Sequence, residues 1–215
     1  MRTIVKRVSD FQVNGAGDDP AWLTTEWLPM VPVGGSSTYT SRAKVLYSDS
    51  GLYFLVDNED AQLTCSDLPD FGDLFAEDVV EVFLWPYEAH PVYFEYEISP
   101  LNAELPIMVT NHQGSFYGWL PWHYDGPRCT RHATWIREGE KKPMAAVQGW
   151  RTEFFIPFAL FTGLGKNPPT PGSTWRGNIY RIDYDGDKPA QWAWCPDTGG
   201  NFHLFEKFGV LEFAE

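Results

Sequence analysis

Asp78-Val79-Val80-Glu81-Val82-Phe83-Leu84 and, after a proline-bounded connection over residues 86–91, Tyr93-Phe94-Glu95-Tyr96-Glu97-Ile98 decide the fold class. In the first run Val79, Glu81 and Phe83 share one face, while Val80, Val82 and Leu84 share the other. In the second, Tyr93, Glu95 and Glu97 alternate with Phe94, Tyr96 and Ile98. Each run thus has one continuous apolar face and one face carrying carboxylates. That pattern predicts two antiparallel strands of one sheet, packed on one side and open on the other.

The same alternation predicts strands over residues 44–47, 52–56, 150–156, 175–183 and 210–213. Asp49-Ser50-Gly51 forms a hairpin turn between the first two. Helical periodicity is almost absent, and residues 157–161 supply at most one short turn, ended by Gly163. The expectation is an all-β chain with little helix: a jelly-roll-like antiparallel β-sandwich forming a single domain over residues 1–215, without internal repeats. Residues 101–144 carry turn residues and scattered aromatics with little alternation. Such a stretch is too long for a structureless loop and is expected to hold one or two strands.

Acidic side chains outnumber basic ones by 29 to 16, giving a net charge of −13. Without a cluster of Lys and Arg, nucleic acid and anionic membrane are poor partners. Cys65, Cys129 and Cys195 are odd in number and far apart, which excludes a full disulfide framework and favours three thiols. The histidines and cysteines lack zinc spacing. Residues 1–10 have no apolar leader core and no stretch approaches a membrane span. The chain therefore acts in the cytoplasm or is exported with its leader removed. Oligomeric state is not legible.

Ten tryptophans are present, and Trp119, Trp122, Trp192 and Trp194 occur as close pairs among Gly, Pro, Asp and His. An indole held on a rigid loop is a platform for a sugar ring, which points to a mono- or oligosaccharide as partner. Glu81 lies within an otherwise apolar face, so it must be paired or lie at a ligand. Arg181 is its expected partner. The pair either offers donors and acceptors to vicinal hydroxyls or is a purely structural salt bridge. Asp183, Asp185 and Asp187 alternate around Gly186 as in a cation loop, and Asp57, Glu59 and Asp60 form a second acidic set suited to calcium.

Several segments resemble the carbohydrate-binding modules of family 9. Asp78-Val79-Val80-Glu81-Val82-Phe83-Leu84 matches a D-x-V-E-x-F-L strand, and Tyr93-Phe94-Glu95-Tyr96-Glu97-Ile98-Ser99-Pro100 matches the strand after it. Trp150-Arg151-Thr152-Glu153-Phe154-Phe155-Ile156-Pro157-Phe158 and Trp175-Arg176-Gly177-Asn178-Ile179-Tyr180-Arg181 follow in order. Pro20-Ala21-Trp22 near the start and Trp194-Cys195-Pro196, Phe202-His203 and Phe208-Gly209 near the end complete the set.

The resemblance implies a β-sandwich, non-catalytic sugar binding between two facing aromatic side chains, and structural calcium. It places the platforms at Phe75 and Trp194, a hydroxyl acceptor at Glu81, and donors at Arg181 or Asn178. Phe75 stands where the family has Trp, so one platform is smaller, and Trp119 or Trp122 could supply a replacement wall. The implied role serves polysaccharide degradation. Two other readings stay open: a glycoside hydrolase using Glu81 with Glu95 or Glu97, and a sandwich whose exposed aromatics bind a protein. Carboxylates flanking a cleft favour hydrolysis, and a carboxylate with an Arg beneath facing rings favours binding.

Overall fold

The computed structural model describes residues 1–122, 125–165 and 167–215. The two deciding runs lie in β5 (Val79–Trp85) and β6 (Val92–Ile98), which pair antiparallel with Glu81 opposite Glu97. The other described strands are β1 (Arg2–Arg7), β2 (Leu28–Gly34), β3 (Ser41–Tyr47), β4 (Gly51–Asn58), β7 (Glu104–His112), β8 (Ser115–Pro121), β9 (Arg131–Arg137), β10 (Gly149–Pro157), β11 (Thr174–Asp183), β12 (Ala190–Ala193) and β13 (Gly209–Phe213). The helical content is short 3₁₀ turns, among them Phe158–Phe161 directly after β10.

Two layers result. One runs β8-β7-β6-β5-β11-β12, the other β3-β4-β10-β9. They are joined by strands that change layer partway along. Leu28, Pro29 and Met30 of β2 pair with β3, whereas the later residues of β2 pair with β12. Likewise Arg2 to Val5 run alongside β13 and Lys6 and Arg7 alongside β3. Both β1 pairings are parallel, so the sandwich is mixed rather than wholly antiparallel: one strand direction has to serve both layers.

All five strands expected outside the deciding runs are present within β3, β4, β10, β11 and β13. Residues 101–144 hold three strands, not one or two. β7 is buried on both faces over most of its length and β8 is exposed on both, so neither shows alternation. β1, β2 and β12 escape notice because β1 is largely charged, β2 carries two prolines, and β12 is short.

Between the layers lies the main core. Val80, Val82, Leu84, Phe94, Tyr96 and Ile98 pack toward Val45, Phe54, Val56, Trp150 and Phe154. Burying a large side chain here contributes about 1.5–3 kcal/mol before chain entropy is subtracted. The outward faces of β5 and β6 are not open, contrary to the pattern's implication. Leu74, Phe202, Phe205 and Phe208 fold over Val79, Phe83 and Tyr93 as a second apolar cluster. Those covering residues come from distant loops, which no local alternation reports. A third cluster lies on the far layer, where Trp22 and Phe11 cover Leu46, Tyr53, Leu55 and Phe155. All three cysteines are free.

Buried Glu153 on β10 fastens that N-terminal cover. Its Oε1 accepts from Trp22 Nε1 at 2.8 Å, and its Oε2 accepts from the backbone of Asn14 and Gly15 at 2.8 and 2.9 Å. Removing the carboxylate leaves three donors without their acceptor. Glu153→Ala should therefore lower unfolding free energy by roughly 3 kcal/mol in denaturant titrations. A loss below about 0.5 kcal/mol would show that water replaces the carboxylate and that the cover is held by packing alone.

Candidate functional site

On the covered outer face of the β5–β6–β7–β11 layer, pairing register gathers three carboxyls. Glu81 stands opposite Glu97 on one side and Tyr180 on the other, and Glu95 stands opposite Phe83. One oxygen from each of Glu81, Glu95 and Glu97 lies within 4.8 Å of the others. All three are at most 3% exposed. Above them is a pocket of about 390 Å³, whose rim includes Phe75, Phe116, Trp119, Asn201 and His203.

Among the described residues, no Lys or Arg lines this pocket. His203 approaches Glu95 Oε2 only to 4.0 Å and lies 2.7 Å from the Tyr93 hydroxyl through the same ring nitrogen. Burial lowers the His203 pKa to about 4, so the ring is neutral at physiological pH. Burial pushes Glu81 up to about 8. Burial, the charges of Glu81 and Glu97, and contact with the Glu97 carboxyl hold Glu95 well above the usual carboxylate range. Glu97 is raised chiefly by burial and then by Glu81. Even so, among the described residues Oε2 of both Glu95 and Glu97 meets no N–H or hydroxyl donor, and the two carboxyls have only each other as side-chain hydrogen-bond partners.

The rim is aromatic and partly open. Phe75, on the 3₁₀ turn Leu74–Ala76, is 40% exposed, Trp119 in mid-β8 39%, and Phe116 46%. Phe75 and Trp119 meet edge to face, with centroids 6.4 Å apart and planes at 73°. They form a corner, not a parallel slot. Phe116 lies over His203 at 4.6 Å. A larger hollow of about 660 Å³ beside residues 86–89 and 167–175 has no comparable set of buried carboxyls.

Of the residues expected at a site, the structure brings Phe75, Glu81 and Trp119 together and places the others elsewhere. Arg181 is opposite Val80, one position away from Tyr180, so its side chain leaves on the inner face of the sheet. There it pairs with Asp60 at 3.0 Å and Asp183 at 2.6 Å and lies over the Trp192 ring at 4.8 Å. The expected Glu81–Arg181 pair is therefore replaced by two separate clusters. Trp192 and Trp194 share that inward parity and are at most 2% exposed in the main core, with Gly209 against the Trp194 indole. A Cβ at Gly209 would come within 2.5 Å of Trp194 Cζ3, so the ring has no free face there.

Asn178 exchanges hydrogen bonds with the Cys195 backbone, donating to its carbonyl at 2.9 Å and accepting from its N–H at 2.8 Å. It shapes the loop after β12. Trp122 turns away from Trp119, packs against the main core and donates to the Leu160 carbonyl at 3.1 Å. Nothing in the sequence pattern marks Phe116 or Asn201 for the rim, and only the Phe202-His203 motif hints at His203.

The acidic turn also divides. Asp183 is the last residue of β11 and turns to Arg181 two positions back, and Asp187 is exposed. Asp185 instead joins Asp60 and Asp78, with one oxygen of each within 4.8 Å. Asp78 accepts from the backbone N–H groups of Thr64 and Tyr184, and Asp185 accepts from the Thr64 and Tyr39 hydroxyls. Burial, with neighbouring acidic charge, raises Asp60 to about 7 and Asp78 to about 8, while Arg181 opposes the shift at Asp60. Three hard oxygen donors with excess negative charge fit a calcium ion in donor type.

The sequence matches no protein-family model and no curated protein. The likeness lies in the structure. A crystal structure from Bacteroides uniformis, described as that of a candidate carbohydrate-binding protein, superposes with a TM-score of 0.81 at 16% identity, covering 99% of this chain and 98% of that one. A family 9 carbohydrate-binding module from Caldicellulosiruptor kristjanssonii, in complex with cellotriose, gives 0.67 at 18% identity over 100% of this chain and 94% of that one. Its glucose complex gives 0.67 at 18%, over 99% and 95%. The chain has the fold of these modules, as the ordered motifs implied.

The buried carboxyls give stability a pH dependence of definite sign. Raised carboxyl pKa values mean that the folded state binds more protons than the unfolded chain, so stability falls as pH climbs from the ordinary range near 4.5 through about 8. His203 acts oppositely, but only below 6.5. The other titratable groups near the trio are Tyr93, Tyr180, Tyr184, Asp73 and Asp78. Between pH 6.5 and 8.5 each retained proton steepens the decline by up to about 1.4 kcal/mol per pH unit. Melting temperature should fall across that window in the wild type and fall less steeply in an E81Q/E95Q/E97Q variant, where Asp60 and Asp78 still contribute. Equal slopes for the two proteins would contradict protonated carboxyls in the pocket.

Proposed function

We propose that the chain binds carbohydrate without chemical conversion, in the pocket between Phe75, Phe116 and Trp119 and the Glu81–Glu95–Glu97 floor. The observation that carries this reading is the combination of partly open aromatic faces with buried polar groups that lack partners. Sugar C–H groups stack on an indole or phenyl face while hydroxyls reach polar atoms below. The Caldicellulosiruptor module of the same fold was solved with glucose and with cellotriose, which supports a saccharide as the ligand class. Trp119 takes the role of main platform, with Phe75 and Phe116 beside it. Trp192 and Trp194 act through the core instead.

The floor favours binding over hydrolysis. A glycosidase sets its acid on one side of the scissile bond and its nucleophile or base on the other, and it needs one of them ionised. Here all three carboxyls rise from one sheet face, side by side, and burial shifts each of them toward the protonated form.

Calcium completes the proposal as a structural ion. Asp60, Asp78 and Asp185 would hold it, tying the turn after β11 to the segments preceding β5. Its contribution would be charge neutralisation and loop order, away from the sugar.

Two measurements test these assignments. In calorimetric titrations with glucose and cello-oligosaccharides, Trp119→Ala should weaken binding by about tenfold or more. Trp194→Ala should cost roughly 3–5 kcal/mol of stability through a core cavity. Unchanged affinity in Trp119→Ala would remove the platform. For the ion, adding millimolar calcium to chelator-treated protein should raise the melting temperature, and Asp185→Asn should shrink that rise. No rise in the wild type would exclude the ion.

A further inference from the structure

Hydroxyls of a neutral sugar are usually met by a mixture of donors and acceptors. The floor of this pocket offers carboxyls alone. Glu81, Glu95 and Glu97 converge there, and among the described residues no Lys or Arg lines the pocket. The nearby imidazole of His203 is held neutral and is engaged with the Tyr93 hydroxyl. Glu95 Oε2 and Glu97 Oε2 are the decisive atoms. Both belong to side chains at most 3% exposed, both residues line the pocket, and among the described residues neither atom meets an N–H or hydroxyl donor.

Carboxyls placed opposite each other on neighbouring strands disfavour the fold when charged, and a buried carboxylate without a counter-charge is costly. Glu81 opposite Glu97, with Glu95 two residues along the same strand face and an oxygen of each within 4.8 Å of the others, therefore suits a ligand that brings positive charge with it. The rim agrees independently, because the π-faces of Phe75, Phe116 and Trp119 attract a cation as well as C–H groups. A bare metal ion would use the floor and leave the rings idle. A neutral hexose would use the rings and leave Glu95 and Glu97 without a charged partner. A sugar ring with a protonated amine uses both.

We propose, building on the saccharide-binding reading, that this pocket selects amino sugars with a free ammonium group, the nitrogen being received by Glu95 and Glu97 with Glu81 behind them. The ring stacks on Trp119. An N-acetylated sugar is rejected relative to the free amine, because acetylation removes the charge that the carboxyls receive and adds bulk at the same nitrogen. No covalent step is involved: the ammonium N–H groups donate to carboxylate oxygens, and any carboxyl protons displaced go to solvent.

The test is calorimetric titration at pH 7 with four probes: glucosamine disaccharide, its di-N-acetylated counterpart, cellobiose, and the ring-free diamine putrescine. Wild type, Glu95→Gln and Glu97→Gln are compared. Gln is close in shape to a carboxyl group, and melting curves verify the fold. The free-amine disaccharide should bind the wild type about tenfold or more tighter than the acetylated one or cellobiose. Each Gln variant should lose most of that preference, the ratio of free-amine to cellobiose affinity falling toward one.

If cellobiose or the acetylated disaccharide binds the wild type as tightly as the free amine, amine selection is overturned and saccharide binding stands. Survival of the preference in both Gln variants overturns amine selection by this floor in the same way. Putrescine matching the amino disaccharide overturns the proposal by making the ring irrelevant. Absence of binding by all three saccharides overturns the broader saccharide reading along with it.

Discussion

Side chains along a strand alternate between faces, so each pairing register commits charged groups to one side of the sheet or the other. In the β5–β6–β11 ladder this constraint puts Glu81 beside Glu97 and Tyr180 on the outer face and puts Arg181 beside Val80 on the inner face. The cation and the carboxyls are thereby separated by the thickness of one sheet. Arg181 settles among Asp60, Asp183 and the Trp192 ring, and the outer carboxyls are left to be protonated or to meet a ligand. A shift of one residue in either pairing would merge the two clusters and close the pocket's chemistry.

The second determinant is what covers that outer face. Phe202, Phe205 and Phe208 seal one part, while Phe75, Phe116 and Trp119 edge the part that stays open. The same stretch of sheet is thus dry enough to shift its carboxyls toward the neutral form and open enough to admit a ligand. Burial and access are balanced by loops that arrive from three distant parts of the chain.

Legibility in the sequence follows from the same constraints. Strands whose two faces differ, as in β5 and β6, announce themselves, and the ordered motifs imply the fold that the solved modules share. β7, alike on both faces for most of its length, and β8, exposed throughout, give no period to read. At the site, Glu81 stands out because a carboxylate interrupts an apolar face. Its partner cannot be read correctly, because Tyr180 and Arg181 are adjacent and only the register says which of them faces Glu81. Trp192 and Trp194 look like loop residues from their Gly, Pro and Asp surroundings, yet their i, i+2 spacing sends both indoles into the core. Phe116 reaches the rim only through long-range folding, for which local sequence carries no signal, and His203 is hinted at only by the Phe202-His203 motif.

The central claim is that saccharide is received on the outer face, at Trp119, rather than at the late tryptophan pair. Nuclear magnetic resonance of the indole N–H groups during a sugar titration separates the two directly. The Trp119 signal is predicted to shift progressively and saturably, while those of Trp192 and Trp194 stay in place. Saturable movement of the Trp192 or Trp194 signals with Trp119 unmoved would contradict the claim.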